Sequence, residues 1–276
     1  MTQVSYRTIQ VAPIAGALGA EVSGVDLGND LAPETVQEIR HAWLEHLVVF
    51  FRDQHLEPEA FLAFARRIGD PVAYPFVKGI DRCPEIIAVT KLPDETVNFG
   101  GIWHSDTVYL DRPPMGTLLL AREVPPVGGD TLFANMYAAY EACSPALRHV
   151  LDGLRAVNTS ALADVSKTRE DRIRDGGQEL ASEFVSEHPV VRTHPETGRK
   201  TLFVNGNWTT RIRELGLDES DHVLALLFDH VKSPTLQCRF RWTPGAVAFW
   251  DNRAVQHFAS PDYDERRLMH RVLLAG

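Results

Sequence analysis

The amino-acid sequence predicts a mainly β fold, a sandwich or a jelly roll, accompanied by a few helices. After residue 84 the chain is a succession of short runs that are rich in β-forming residues and separated by turn residues. Many short strands with few helices are typical of both architectures, and periodicity alone does not separate them from other all-β folds. The predicted strands are EIIAV, GTLLLA, DTLFAN, HPVVRTH, KTLFVN, LQCRFRW, AVAFWD and LMHRVLLA.

The first 70 residues add mixed α/β elements in front of this region. The segment APETVQEIRHAWLEH has Pro33 near a helix start, and Ile39 and Trp43 lie on one helical face. The continuous apolar run Leu47–Phe51 follows, and a run of this length is consistent with a buried strand. The segment EPEAFLAFARRIG shows helical spacing again, with Gly69 as its expected C-terminal stop.

Two further helices interrupt the predicted strands. The segment SPALRHVLDGL has Ser144 in the position of an N-cap and Pro145 at the first helical position. The segment HPETGRK is predicted to form a turn between two strands. In the segment DESDHVLALLFDHV the expected apolar face consists of Val223, Leu226, Leu227 and Val231.

Length and composition narrow the class of protein. The 276 residues contain no internal repeat and no long linker, so we expect one domain spanning residues 1–276. The formal net charge of −9 argues against nucleic acid as a partner, because phosphate binding needs a basic surface. No apolar run approaches the roughly 18–20 residues of a membrane span, and the N-terminus lacks the pattern of a secretory signal.

The three cysteines are odd in number and far apart, which predicts neither a disulfide framework nor a structural zinc site. This cysteine usage favours a reducing compartment, and we expect the protein in the cytoplasm. We also expect a homo-oligomer, either a dimer or a tetramer.

A histidine and an aspartate stand two positions apart in the segment GGIWHSDTVYLDRPP. If this segment is extended, as its next residues favour, the side chains of His104 and Asp106 share one face and can converge on a metal. Two histidines and one carboxylate form a facial triad that suits non-haem Fe(II), and His257 is the candidate third ligand. Because the chain has eleven histidines, a surface strand with two polar residues is the structural alternative.

The β-like run RRLMHRVLLA follows His257, and two of its three arginines, Arg267 and Arg271, are candidate anion-binding residues. Arg267 and Arg271 share one strand face with Met269, and burying two guanidinium groups there is costly unless anions pair with them. A guanidinium binds a carboxylate or sulfonate through paired, charge-assisted hydrogen bonds. Thr131 opens a strand after a double-glycine turn, and its hydroxyl can donate to a carboxylate beside an arginine. The alternative partners of the arginines are acidic residues of the domain itself, namely Asp262, Asp264 and Glu265.

The motifs WHSD, GGDT and WDNR…QH…RRLMHR, in this order and spacing, resemble the Fe(II)/2-oxoglutarate-dependent dioxygenases that include the taurine and 2,4-dichlorophenoxyacetate dioxygenases. The resemblance runs through nearly the whole chain. It implies a double-stranded β-helix (jelly-roll) core with helices packed outside. It also implies that His104, Asp106 and His257 bind the iron. The implied activity hydroxylates a small organic anion with O2, while 2-oxoglutarate is converted to succinate and CO2.

The same resemblance implies the anion-binding residues. Thr131 and Arg267 correspond to the residues that bind the tail carboxylate of 2-oxoglutarate. Arg271 corresponds to the arginine that lies where the substrate anion and the cofactor meet. The chain therefore matches the family at the metal ligands and at both anion sites.

Three positions around the implied substrate site bear on the identity of the substrate. Tyr74 lacks the histidine that precedes it in taurine enzymes, Gly100 stands where they carry an asparagine, and Trp208 supplies the aromatic ring in VNGNWTTRI. We therefore expect taurine to be a poor substrate. A bulkier sulfonate, an alkyl sulfate or an aryloxyalkanoate fits equally well. The alternatives are a taurine dioxygenase proper, a zinc hydrolase with the same triad and a non-catalytic ligand-binding jelly roll.

Overall fold

The computed structural model describes residues 6–93, 95, 100–162 and 183–276. Within these ranges the prediction of a mainly β protein with flanking helices is confirmed. The helices are α1 (Pro33–His46), α2 (Pro58–Ile68), α3 (Met136–Ala142), α4 (Pro145–Leu151) and α5 (Leu217–His230). The strands are β1 (Gln10–Pro13), β2 (Ala20–Ser23), β3 (Val48–Phe51), β4 (Pro71–Val72), β5 (Ile86–Lys91), β6 (Gly116–Glu123), β7 (Thr131–Asn135), β8 (Arg155–Thr159), β9 (Val185–Pro189), β10 (Val191–Thr193), β11 (Lys200–Leu202), β12 (Thr209–Ile212), β13 (Gln237–Phe240), β14 (Val247–Asp251), β15 (Val255–Ala259) and β16 (Arg267–Leu274).

Two sheets face each other and enclose the core of a jelly roll. The larger sheet has the strand order β1-β2-β3-β14-β6-β16-β4, with β5 also paired to β16, and the smaller has the order β13-β7-β15. Aromatic side chains of both sheets fill the space between them. Phe50 of β3 stacks on Phe240 of β13 with ring centroids 3.9 Å apart, and Phe133 of β7 lies 5.5 Å from Trp250 of β14. The jelly-roll prediction is therefore confirmed.

The first two helices cover the outer face of the larger sheet. Trp43 of α1 stacks on Phe249 of β14 with ring centroids 4.4 Å apart, while the next residue, Trp250, points to the inner face. Neighbouring residues of a strand point to opposite faces, so a strand that is covered on both sides must be apolar throughout. This is why the runs at β3 and β14 have no alternating polar positions.

Helix α5 buries a different set of residues from the predicted one. Leu226 is 53% exposed, whereas Leu224, Leu227 and Val231 are buried. Spacings of three and four residues place these three on one helical face, and Leu226 lies outside it. The prediction for Leu226 is therefore wrong.

The N-cap prediction for α4 is confirmed, because Ser144 Oγ accepts from the Leu147 amide at 3.2 Å.

Strand β15 was not among the predicted strands, although it carries His257.

The three cysteines, Cys83, Cys143 and Cys238, are buried free thiols, in line with the absence of a predicted disulfide framework. Among the described residues, no helix combines the length and the apolar character that crossing a bilayer requires.

Candidate active site

The two histidines of the predicted triad meet across a single backbone bridge. His257 lies on β15, and His104 lies on an irregular segment along the edge of that strand. The His104 amide donates to the His257 carbonyl at 3.1 Å, and the His257 amide donates to the His104 carbonyl at 2.8 Å. Residues paired in this way project their side chains to one face, and the two imidazole centroids are 4.1 Å apart.

Asp106 reaches the same place through a turn. The chain forms this turn from Asp106 to Tyr109, and Thr107 has a φ of 48°, in the left-handed region that few non-glycine residues adopt. The prediction that the chain continues extended after Asp106 is therefore wrong, whereas His104 itself pairs with His257 in a β-bridge. The side chains of His104, Asp106 and His257 nevertheless converge, with one ligand atom from each lying within 4.8 Å of the others.

The donor atoms of these three residues fit a divalent metal. His104 Nδ1 lies 2.7 Å from the Ile102 carbonyl oxygen, so we assign the ring proton to this nitrogen. His104 Nε2, 3.8 Å from Asp106 Oδ1, is left with a free lone pair. His257 Nδ1 is buried and makes no hydrogen bond with any described residue. Two imidazoles and one carboxylate are the donor set of non-haem Fe(II) sites.

All three groups hold the protonation state that metal binding requires. Burial lowers the pKa of His104, and burial together with the neighbouring His104 lowers the pKa of His257 to about 3. Burial alone would raise the pKa of Asp106, but Arg271, the two histidines and Thr117 outweigh it and hold that pKa below its ordinary value. At neutral pH the site presents two neutral imidazoles and a carboxylate, so a cation binds without displacing a proton.

Arg267 and Thr131 both contact Trp242. The guanidinium carbon of Arg267 lies 5.8 Å from the centre of the Trp242 ring, and the indole N–H donates to Thr131 Oγ1 at 2.9 Å. Because this oxygen accepts from Trp242, the hydroxyl proton of Thr131 remains available to a ligand. The Nε and Nη2 atoms of Arg267 are buried and have no hydrogen-bond partner among the described residues. A buried guanidinium with open donors fits the carboxylate of a ligand.

Arg271 lies beside the carboxylate of the triad. Its Nη1 donates to Asp106 Oδ1 at 3.2 Å, and its guanidinium carbon lies 4.7 Å from the centre of the Tyr74 ring. Asp262, one of the acidic partners considered from the sequence, instead pairs with Arg239. An anion bound by Arg271 would therefore lie next to the triad.

Gly100 and Trp208 both approach the ring of His104. A Cβ atom at Gly100 would stand 3.3 Å from His104 Cε1. Trp208 meets the His104 ring edge-on with centroids 6.3 Å apart and donates its indole N–H to the Ser105 carbonyl at 3.0 Å. The residues predicted to line the substrate site thus lie against His104 or, for Tyr74, against Arg271.

A family match covers nearly the whole chain. Residues 10–273 match the family described as "Taurine catabolism dioxygenase TauD, TfdA family". The chain belongs to this family. The alpha-ketoglutarate-dependent sulfate ester dioxygenase of Pseudomonas putida is 37% identical over 97% of this chain and 90% of its own length. The alkylsulfatase of Acinetobacter baylyi is 35% identical over 98% of this chain and 86% of its own length. A solved taurine dioxygenase from Burkholderia xenovorans has a TM-score of 0.83 at 36% identity, covering 98% of this chain and 92% of that one.

This member of the TauD/TfdA family is a 2-oxoglutarate-dependent non-haem iron dioxygenase, with Fe(II) and 2-oxoglutarate as its cofactors. Membership argues against the zinc hydrolase and the non-catalytic jelly roll that the residues alone left open. It also agrees with the two facing sheets described above.

Several side chains at the site of this TauD/TfdA enzyme were not predicted from the sequence. Thr117 donates to Asp106 Oδ2 at 2.7 Å, and Asn252 donates to Thr117 Oγ1 at 2.7 Å. Tyr109 is buried beneath Trp208, with ring centroids 4.9 Å apart, and its hydroxyl makes no well-formed hydrogen bond with a described residue. The WDNR motif was a signal for Asn252. No sequence pattern indicated a role for Thr117, because threonine is also a common residue of ordinary strands.

Replacing Gly100 with alanine is expected to weaken metal binding, whereas the same change at Gly153 is not. Both glycines have a left-handed φ, 88° and 91°, so both substitutions should lower the free energy of unfolding by about 1–2 kcal/mol. Only at Gly100 does the added Cβ press on His104, since nothing lies within 4 Å of a Cβ at Gly153. Anaerobic Mn(II) titrations of both variants measure the difference. Equal affinities would show that Gly100 has no influence on His104.

Proposed function

We propose that this enzyme, a single dioxygenase domain spanning residues 1–276, hydroxylates an alkyl sulfate ester at the carbon that carries the sulfate oxygen. In this proposal His104, Asp106 and His257 bind the Fe(II). Arg271 binds the sulfate group, and Tyr74, Gly100 and Trp208 line the remainder of the substrate site. The observation that carries the proposal is the buried Arg271 guanidinium beside Asp106.

The balance of buried charge supports a substrate with one negative charge. Two arginines and a divalent metal bring four positive charges to the interior, while Asp106 and the 2-oxoglutarate dianion offset three of them. A buried charge that is left uncompensated is strongly unfavourable. A monoanion such as an alkyl sulfate removes the remaining charge. Taurine, a zwitterion with no net charge, does not.

The surroundings of His104 support an alkyl sulfate over taurine on a second ground. The ammonium group of taurine needs a hydrogen-bond acceptor, but Gly100 has no side chain and the Trp208 indole N–H is a donor only, bonded to the Ser105 carbonyl. An alkyl chain needs only apolar contacts, which the rings of Trp208 and Tyr74 provide. The two curated relatives described above act, by name, on sulfate esters and alkyl sulfates.

The proposed reaction accounts for every atom. When bound, Fe(II) and 2-oxoglutarate supply the O2-dependent oxidation, in which one oxygen atom enters the substrate C–H bond and the other enters succinate as CO2 leaves. The hydroxylated carbon then carries a hydroxyl and a sulfate ester. Breaking the carbon–oxygen bond to sulfate gives an aldehyde, a sulfate ion and a proton.

The residues of the chain bind and orient the two organic anions. Arg267 holds the distal carboxylate of 2-oxoglutarate with its planar fork, and Thr131 adds the hydroxyl proton that Trp242 leaves free. Arg271 holds the sulfate, which places the adjacent carbon next to the metal. Positioning of this kind, in a site shielded from water, is the contribution that the protein makes to cofactor chemistry.

Replacing Arg267 with lysine is expected to weaken 2-oxoglutarate binding by roughly 1–3 kcal/mol, about 5- to 150-fold. Lysine keeps the charge but loses the planar fork that grips a carboxylate at two points. The dissociation constant can be read anaerobically from the visible absorption that Fe(II) and 2-oxoglutarate produce together. A titration curve that overlays the wild type would show that Arg267 is not the carboxylate ligand.

A matched panel of substrates tests the proposed activity. Hexyl sulfate, hexanesulfonate, a phenoxypropionate, taurine and neutral hexanol are each incubated with the Fe(II) enzyme, and substrate-dependent succinate is measured with aldehyde and free sulfate. We expect hexyl sulfate to be the best substrate and hexanol and taurine to be turned over poorly. A preference for taurine would contradict the reading of Gly100 and Tyr74. A preference for hexanol would contradict the role of Arg271.

We further propose that the enzyme is a cytoplasmic homo-oligomer, either a dimer or a tetramer. Three buried free thiols support a reducing compartment. Light scattering of the purified protein measures its mass directly. A mass equal to the 30.8 kDa of one chain would contradict the oligomer.

A further inference from the structure

Four buried side chains form a chain of hydrogen bonds that ends on Asp106. The Trp250 indole donates to Asn252 Oδ1 at 3.0 Å, Asn252 Nδ2 donates to Thr117 Oγ1 at 2.7 Å, and Thr117 Oγ1 donates to Asp106 Oδ2 at 2.7 Å. None of the four residues is more than 2% exposed. Thr117 of β6 lies opposite Trp250 of β14 in the register of the larger sheet, so backbone pairing holds the chain in place.

The direction of each bond follows from the first donor. An indole N–H can only donate, so Asn252 must turn its oxygen toward Trp250 and its amide N–H groups toward Thr117. Thr117 accepts one of these and has a single proton left, which it gives to Asp106 Oδ2. The Asn252 backbone is anchored as well, because its amide donates to the Met115 carbonyl at 3.1 Å. The relay Trp250–Asn252–Thr117 therefore donates in one direction, toward the carboxylate.

We propose that this relay decides which oxygen of Asp106 faces the metal. Thr117 engages Oδ2, whereas Oδ1 is the oxygen that lies 3.8 Å from His104 Nε2. The inference rests on the proposed assignment of His104, Asp106 and His257 as metal ligands. A carboxylate held in this rotation binds through one oxygen and leaves the remaining positions of a facial triad open. Thr117 and Asn252 are not among the proposed metal ligands and act through Asp106, so they are positioning residues.

Loss of the Thr117 hydroxyl has two consequences in a buried site. Asp106 Oδ2 loses its hydrogen-bond donor, and Asn252 is left with an N–H group that has lost its acceptor. The carboxylate then keeps the 3.2 Å bond that Oδ1 accepts from Arg271, but rotation about its Cβ–Cγ bond is no longer opposed at Oδ2. Partners that orient a metal ligand typically change metal affinity or activity by about 10- to 100-fold when they are removed.

Two substitutions of similar shape test the relay. Thr117→Val removes the hydroxyl, and Asn252→Asp removes the N–H donor that orients it. We expect each to raise the Mn(II) dissociation constant by about 10- to 100-fold, measured anaerobically by electron paramagnetic resonance without 2-oxoglutarate. Thr117→Ser retains the hydroxyl and should restore affinity to within about threefold of the wild type. A crystal structure of Mn(II)-bound Thr117→Val should show Asp106 rotated from its wild-type orientation.

Thr201→Val is the matched control, because Thr201 is also fully buried in a strand, but its strand β11 pairs with β10 and carries none of the three proposed ligands. It should leave Mn(II) affinity unchanged. Equal losses in Thr117→Val and Thr201→Val would overturn the relay, since a general loss of stability would explain both. Wild-type affinity in Asn252→Asp or in Thr117→Val, with binding abolished in Asp106→Ala, would also overturn it. Normal binding in Asp106→Ala would instead show that the proposed metal assignment is wrong.

Discussion

Replacing Asp106 with alanine is expected to abolish metal binding and, with it, substrate-dependent formation of succinate. The change removes the one anionic ligand of the triad and leaves the positive Arg271 beside two neutral imidazoles, which repels a cation. We expect Mn(II) affinity to fall by more than about 100-fold, beyond the range typical of residues that only orient a ligand. Anaerobic Mn(II) titration measures the affinity, and thermal unfolding of the metal-free variant shows whether the fold is retained.

Asp111→Ala is the matched control for this experiment. Asp111 lies five positions further along the same segment and is exposed, so its loss should change neither metal affinity nor turnover. Asp106→Ala protein that is folded and binds Mn(II) as tightly as the Asp111→Ala variant would remove Asp106 from the set of metal ligands.

Replacing Arg271 with alanine is expected to eliminate substrate-dependent turnover while 2-oxoglutarate still binds. Each hydrogen bond between a guanidinium and an anion contributes about 1.5–3 kcal/mol, so losing a paired set should weaken sulfate binding by about 100-fold or more. Metal affinity should not fall, because the change removes a cation from the neighbourhood of a cation site. Calorimetric titration of hexyl sulfate into the Mn(II)–2-oxoglutarate enzyme measures the first effect.

Arg266→Ala is the control for Arg271→Ala. Arg266 lies on the same segment but is partly exposed and pairs with Glu123, so its loss should leave substrate binding unchanged. Full turnover of hexyl sulfate by the Arg271→Ala variant would refute the role of Arg271. Loss of the anaerobic absorption of Fe(II) with 2-oxoglutarate in that variant would reassign Arg271 to the cofactor.

Local patterns were sufficient for most elements of the fold. Strands β3 and β14 can be predicted from their continuous apolar runs, because both faces of these strands are covered. Helices α1 and α2 can be predicted from the helical spacing of their apolar residues, because one face of each packs on the sheet. The apolar face of α5 was misread at Leu226, because the sequence contains more apolar residues in that helix than its contact surface buries.

The conformation around Asp106 had no comparable local signal. The β-forming residues that follow it favour a strand, but the chain turns there, with Thr107 in the left-handed region. Tertiary packing overrides strand propensity at this point, as it often does. The segment carrying His257 was not recognised as a strand for a related reason, because β15 is specified by its pairing with β7 across the small sheet.

The sequence by itself determined that the protein is mainly β, because this is a property of local composition, and its motifs, in their order along the chain, led to the proposed metal-binding and anion-binding residues. Only the tertiary structure decided how His104 and His257 meet across one backbone bridge and that Arg271 lies against Asp106. It alone showed that Thr117 holds the other oxygen of that carboxylate. The physical reason is that these contacts join segments remote in sequence. A hydroxyl or a guanidinium takes its role from the neighbours that the paired strands bring to it.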